Sequence, residues 1–367
     1  MAWIARRYGA RRVLFTDSGT SALALALRGA ADVRGGDAAV ALPAFGCYDL
    51  LTAVRAAGVG PALYDLDPRS LSPEPDSLRR VLDRGAAAVV AAHLYGVPVA
   101  LRTAAEHAAE AGALLVEDAA QGVGGSYRGR PLGAFGSLSV LSFGRGKGLS
   151  GGGGGALLAH DEEGEAALEA AGAPAEARTR GGRRLLAAAG QWALGRPALY
   201  ALPASLPFLG LGETVYRSPH PPEGIPRACL AVLERSWEPS LRESGLRRKR
   251  ARRLLRHVRR AHGLDPVVPP AGAHPGWLRL PVLVRDRSAR DRLSGPAARR
   301  AGVMPGYPKP LYRLETFRPS ASGAGERPGP LEGAEALARR LFTLPVHSLM
   351  SSGDVDRLER LISPLSG

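Results

Sequence analysis

The chain has 367 residues, is 45% hydrophobic and carries a formal charge of +15 from 49 Lys+Arg against 34 Asp+Glu. That excludes a disulfide-stapled miniprotein or a disordered chain, and leaves room for two domains or one large domain with an appendage. Two cysteines, Cys47 and Cys229, make neither a disulfide framework nor a zinc cluster. The charge favours anionic partners, although arginine dominance with high Ala, Gly and Pro also follows from genome composition. The opening MAWIARRYGA lacks the apolar centre of a secretory leader, and no run reaches the roughly 18 apolar residues of a membrane span. A reducing cytoplasm is the expected compartment.

Short apolar runs alternate with helical periods from Leu14 to about Leu158. Ala38–Leu42 reads as a buried strand and Tyr48–Gly58 as a helix with a glycine stop. Pro61–Asp67 is a strand, Asp76–Gly85 a helix, and Ala86–Gly96 a strand with a turn. Thr103–Ala113 is a helix, Leu114–Ala120 a strand, and VLSF at Val140–Phe143 another. This alternation predicts an α/β fold, with a mainly parallel sheet flanked by helices. Ligands in such sheets bind beyond the carboxyl ends of the strands. From 162 to 222 the pattern is poor, a basic lead followed by an apolar, proline-broken run. A long helical pattern returns at Ala228–Arg260. Beyond it, WLRLPVLV and RLFTLPVH read as strands and SGDVDRLERLIS as a capped helix, a smaller α+β domain. The expected boundaries are 1–235 for the large domain and 236–367 for the small one.

Three stretches carry candidate chemistry. In DSGTSALALALRG (Asp17–Gly29) a Gly-Thr-Ser turn opens an apolar helix. Its free amides and hydroxyls make an anion site, or else an ordinary helix cap. In VEDAAQG (Val116–Gly122), Asp118 and Gln121 follow a strand. They suit a protonated heterocyclic nitrogen, or else a polar loop. In LSFGRGKGLSGGGGGALLA (Leu141–Ala159) a strand delivers Ser142, and Lys147 follows five residues later. The chain has only three lysines, Lys147, Lys249 and Lys309. Arginine stays protonated, whereas lysine can lose its proton and attack a carbonyl. The alternative is a flexible hairpin with a solvated cation. A cofactor with a phosphate, a pyridine nitrogen and an aldehyde needs this inventory in this order. Pyridoxal phosphate has those features.

The motifs SGTSAL, LPAF, AAHLYG, VEDAAQGVGGSYRGRPLGAFGSLSVLSF and GKGLSGGGGGAL, with YPKPLY and LPVHSLMSSGDVDRL later, resemble the DegT/DnrJ/EryC1/StrS family of sugar aminotransferases. The resemblance implies the fold-type-I architecture and a homodimer. It makes Lys147 the Schiff-base lysine, Asp118 the partner of the pyridinium nitrogen and Gln121 the contact to the ring oxygen. Gly19, Thr20, Ser21 and Ser142 would hold the phosphate. It implies amine transfer, usually from glutamate, to a keto sugar that is commonly nucleotide-linked. The products would serve polysaccharide, glycolipid or secondary-metabolite synthesis. Dehydrating sister enzymes carry histidine in place of the lysine, which this chain keeps.

Four departures accompany the resemblance. Only residues 1–17 precede SGTSAL, where the family has a longer segment. The usual ring-stacking aromatic aligns with Cys47, leaving Phe45 and Tyr48 as substitutes. No Gly-x-Asn-x-Arg-Met stretch, whose asparagine reaches the partner's phosphate, occurs between Glu162 and Ala228. Gly144, Arg145 and Gly146 replace the family's HPTKNLT-like setting. Two rival readings follow: a keto-cyclitol acceptor, or a diverged non-catalytic member associated with a membrane. The apolar Leu185–Gly212 run reads as packing over the sheet or a partner in preference to a membrane surface. The basic Arg247–Arg260 helix has no interleaved aromatics and reads as a solvated face, not a nucleic-acid site. His93 and His347 have no metal-ligand spacing and read as structural or pocket-lining; no metal is expected.

Overall fold

The computed structural model describes residues 2–35, 39–144, 146–194, 215–318 and 331–363. The main sheet has seven strands: β1 (Arg12–Thr16), β2 (Val40–Pro43), β3 (Pro61–Tyr64), β4 (Ala88–Ala92), β5 (Leu114–Asp118), β8 (Leu138–Ser142) and β9 (Gly155–Ala159). Their order is β1-β9-β8-β5-β4-β2-β3. Strands β8, β5, β4, β2 and β3 run parallel. Strand β9 is antiparallel to both β8 and β1, so β1 regains the direction of β8. Every residue of β2, β3, β4, β8 and β9 is buried. Runs such as AVVAA lack polar alternation because helices cover both faces of the sheet. Helix Gly19–Val33 lies so close to helix Glu162–Ala171 that a Cβ on Gly29 would sit 1.9 Å from the Ala167 carbonyl oxygen.

Beyond the sheet, helix Arg227–Val258 runs unbroken through Pro239. The expected boundary at 235/236 falls inside it. A second sheet has the order β10-β12-β14-β13: β10 (Leu264–Pro266), β12 (Leu280–Val284), β14 (Leu341–Leu344) and β13 (Met304–Pro305), with every pair antiparallel. A third joins β11 (Ala273–His274) to β6 (Ser126–Tyr127) and β7 (Arg130–Pro131), seating the C-terminal part beside the loop after β5. The last helix, Ser352–Ile362, has the expected capping box, Ser351 with Asp354. Arg253 fastens it to the long helix through Asp356 and Glu359, both at 2.6 Å.

The predicted strands are present, most of them shorter than their apolar runs. Within the weakly patterned 162–222 stretch, helix Glu162–Ala171 is capped by Asp161 and helix Gly182–Leu194 follows. Residues 195–214, most of the apolar Leu185–Gly212 run, lie outside the described residues. Among the described residues no helix is long and apolar enough to cross a membrane.

Candidate active site

Parallel strands bring their carboxyl ends to one edge. That edge gathers Pro43–Tyr48 after β2, His93–Tyr95 after β4, Asp118–Gln121 after β5, Ser142–Lys147 after β8 and Ser18–Ser21 after β1. Lys147 is half-buried on a turn closed by the Gly151 N–H on the Phe143 carbonyl, 2.9 Å. The glycines here answer steric demands. Gly146 has φ +72°, and a Cβ on Gly148 would stand 2.5 Å from the Val123 carbonyl oxygen. Asp118 closes β5 and accepts the Ala120 N–H at 2.9 Å. Its second carboxylate oxygen has no protein donor among the described residues. Burial raises the Asp118 carboxyl above the ordinary aspartate range, opposed by the Ala120 amide and then the Lys147 charge. The same lysine acts on Cys47, whose thiol burial pushes up to about 12. Lys147, Asp118 and Cys47 therefore share one electrostatic environment.

The four predicted phosphate residues, Gly19, Thr20, Ser21 and Ser142, lie where β1 and β8 end. Ser18 caps the helix, its side chain accepting the Ser21 N–H at 3.1 Å. A Cβ on Gly19 would lie 2.7 Å from Ser142 Cβ, so only glycine lets the turn approach Ser142. Thr20 is half-buried. Ser21 is turned inward instead, donating to Asp17 Oδ1 at 2.7 Å. Arg184 crosses Gly153 and donates to the Asp17 carbonyl at 2.7 Å, so helix Gly182–Leu194 borders this turn. Sequence reasoning missed Ser18, which the Ser-x-x-Ser spacing could have shown, and Arg184, for which no motif existed.

Gln121 stands at the other side. Its Oε1 accepts the Tyr95 N–H at 3.1 Å and its Nε2 donates to Tyr307 Oη at 3.2 Å. Tyr95 has φ +59°, a left-handed backbone costing a non-glycine residue about 1–2 kcal/mol. Among the described residues the buried Tyr95 hydroxyl has no hydrogen-bond partner. Tyr307 lies on the loop after β13 and meets Tyr95 (centroids 5.6 Å), Phe45 (5.5 Å) and Tyr48 (6.5 Å). Both stacking candidates, Phe45 and Tyr48, thus line one aromatic cluster with half-buried Cys47 nearby. Tyr307 was legible only inside YPKPLY, with no role attached. His93 is buried against Glu117 at 2.8 Å, and Glu117 also accepts the Gly133 and Phe135 N–H groups at 2.7 Å each. That pair braces the strand ends. His347, on the loop after β14, is held down to about 4 by burial and by the Arg279 and Arg250 charges.

Residues 3–184 match the model of the DegT/DnrJ/EryC1/StrS aminotransferase family. The match takes in just under half of the chain, and over that part the sequence is similar to this family. Over 152 residues it is 36% identical to the dTDP-4-dehydro-2,3,6-trideoxy-D-glucose 4-aminotransferase of Saccharopolyspora spinosa, covering 41% of this chain and 39% of that one. Over 144 residues it is 33% identical to the L-glutamine:2-deoxy-scyllo-inosose aminotransferase of Streptomyces kanamyceticus, covering 39% and 33%. The aligned region thus spans less than half the length of these curated relatives. The aminotransferase TlmJ of Streptoalloteichus hindustanus superposes with TM-score 0.73 at 25% identity, over 98% of this chain and 88% of that one. DesV of S. venezuelae, solved in complex with a ketimine intermediate, gives TM-score 0.73 at 24% identity over 98% and 86%. The fold is the fold-type-I aminotransferase architecture expected from the sequence.

Proposed function

We propose that this DegT-family chain is a pyridoxal-phosphate-dependent aminotransferase that moves an amino group from an amino acid, glutamate by expectation, to a keto sugar carried on a nucleotide. The observation that carries this reading is that neighbouring parallel strands β5 and β8 lead into Asp118 and the Lys147 turn at one edge of the sheet, where the Lys147 charge opposes the rise of the Asp118 carboxyl. The donor set fits the cofactor. A carboxylate with one uncommitted oxygen suits a ring nitrogen. A helix N-terminus with Ser18, Gly19, Thr20 and Ser142 suits a phosphate. Tyr95 offers a buried hydroxyl with no partner among the described residues.

When bound, pyridoxal phosphate supplies an electron sink for the carbanion formed at the donor's Cα. Lys147 has the one side-chain type here that can hold the cofactor covalently and then carry a proton between carbon atoms. Asp118, from β5, holds the ring-nitrogen proton. Gln121 would meet the ring oxygen. The residues to about 235 would form the cofactor-binding unit and 236–367 the smaller one. We infer a cytoplasmic homodimer, testable by analytical ultracentrifugation.

Reconstitution with pyridoxal phosphate and borohydride reduction tests the reading. Covalent attachment at Lys147, found by peptide mass mapping and absent in Lys147→Ala, is the expected result. A folded wild type that never acquires the cofactor overturns it. A second acceptor class, a keto-cyclitol, is favoured by the 2-deoxy-scyllo-inosose aminotransferase among the relatives. Glutamate with a nucleotide keto sugar or a keto-cyclitol, assayed for aminated product, separates the two.

A further inference from the structure

The amide of Gln121 is held at both ends. A backbone N–H must meet an acceptor, so the contact with Tyr95 fixes which end of the amide is oxygen. The contact at the other end is then a donation from Nε2 to Tyr307 Oη. One amide hydrogen is used there, and the other has no acceptor among the described residues. Tyr307 follows strand β13 of the second sheet, whereas Gln121 and Tyr95 follow strands of the main sheet. Stacking at 23° between the Tyr95 and Tyr307 rings, with Phe45 at the Tyr307 edge, sets where the Tyr307 hydroxyl lies. The left-handed backbone of Tyr95 aims the opposing N–H. Two independent segments thus converge on one amide.

We propose that Tyr307 is a positioning residue: from the C-terminal sheet it orients the Gln121 amide so that its remaining N–H meets the ring oxygen of the cofactor. This rests on the pyridoxal-phosphate reading above. It makes cofactor binding depend on the Tyr307 hydroxyl, and not only on its ring.

The test uses full-length protein as Tyr307→Phe, Tyr307→Ala, Gln121→Ala and the Tyr307→Phe/Gln121→Ala double variant. Two readouts are the Kd for pyridoxal phosphate, from fluorescence, and the pH titration of the bound cofactor's visible absorbance. Tyr307→Phe keeps the ring. It should weaken binding about fivefold, the loss of one neutral hydrogen bond, and shift the absorbance titration. The same change on the Gln121→Ala background should add nothing. A silent Tyr307→Phe beside a thermally destabilised Tyr307→Ala means ring packing alone and overturns the proposal. So does an equal effect with and without Gln121. A loaded wild type with a silent Tyr307→Phe overturns only this role, whereas a wild type that never loads overturns the functional reading as well.

Discussion

The two sides of the candidate site are built differently. Lys147, Asp118, Ser142 and Gly19 sit at the ends of hydrogen-bonded strands or on a capped helix, with buried backbone behind them. Tyr307 reaches the site from another sheet through one 3.2 Å hydrogen bond and three ring contacts. Asp118 and Ser142 close strands of the main sheet and Lys147 follows on a hydrogen-bonded turn. Tyr307 stands on a loop after a strand of the second sheet. Substitutions on the first side should therefore act on chemistry or stability in large steps, and those on the second on orientation in small ones.

The largest step is at the lysine. Lys147→Arg keeps the charge but cannot give up its proton, so amine transfer should fall by at least about 10³-fold in a glutamate half-reaction assay. Glu117→Ala strips His93 and two N–H groups of their buried acceptor. It should cost about 3–5 kcal/mol in denaturant unfolding, and a smaller loss would mean the strand ends are not braced there. Asp118→Asn should slow amine transfer about 10²- to 10³-fold by removing the charge that holds the ring-nitrogen proton. Gly19→Ala drives a Cβ against Ser142 and should cost about 1–3 kcal/mol together with phosphate affinity. The smallest effect is a pH slope. Folding raises the Asp118 carboxyl above its ordinary value of 3.8, so the folded chain binds that proton more tightly than the unfolded chain. Its contribution is fully present below 3.8 and is lost as pH rises through the raised value. Cofactor-free Asp118→Asn should therefore melt above the wild type at neutral pH, and equal melting profiles would discard the burial argument.

Much of the first side was legible in the sequence. Unbroken apolar runs mark the parallel strands, and the polar residues read after them, Asp118, Ser142 and Lys147, lie at one edge of the sheet. The glycines around Lys147 were read as permissive, and Gly146 and Gly148 have steric reasons to be there. Ser21 shows the limit: its type suggested a ligand contact, but its hydroxyl bonds Asp17, a pairing fixed only by the path of the helix start. Arg184 and Tyr307 reach the site from 167 and 186 residues away from their partners Asp17 and Gln121. Contacts over such separations leave no local pattern. Helix Glu162–Ala171 was missed although Asp161 and three early glutamates mark its start, because the apolar, proline-rich run that follows dominated the reading.

Strand β1 has a further consequence, for the order of folding. Its only strand partner among the described residues is β9, paired from Arg12↔Ala159 to Thr16↔Gly155. On a ribosome adding about 5–20 residues per second, the first strand must wait several seconds for its partner to emerge. The phosphate-type turn at Ser18–Ser21 waits with it. Although it is made well before β9, this cradle closes only after the lysine turn has been synthesised, so a nascent chain stalled before Gly155 should have neither.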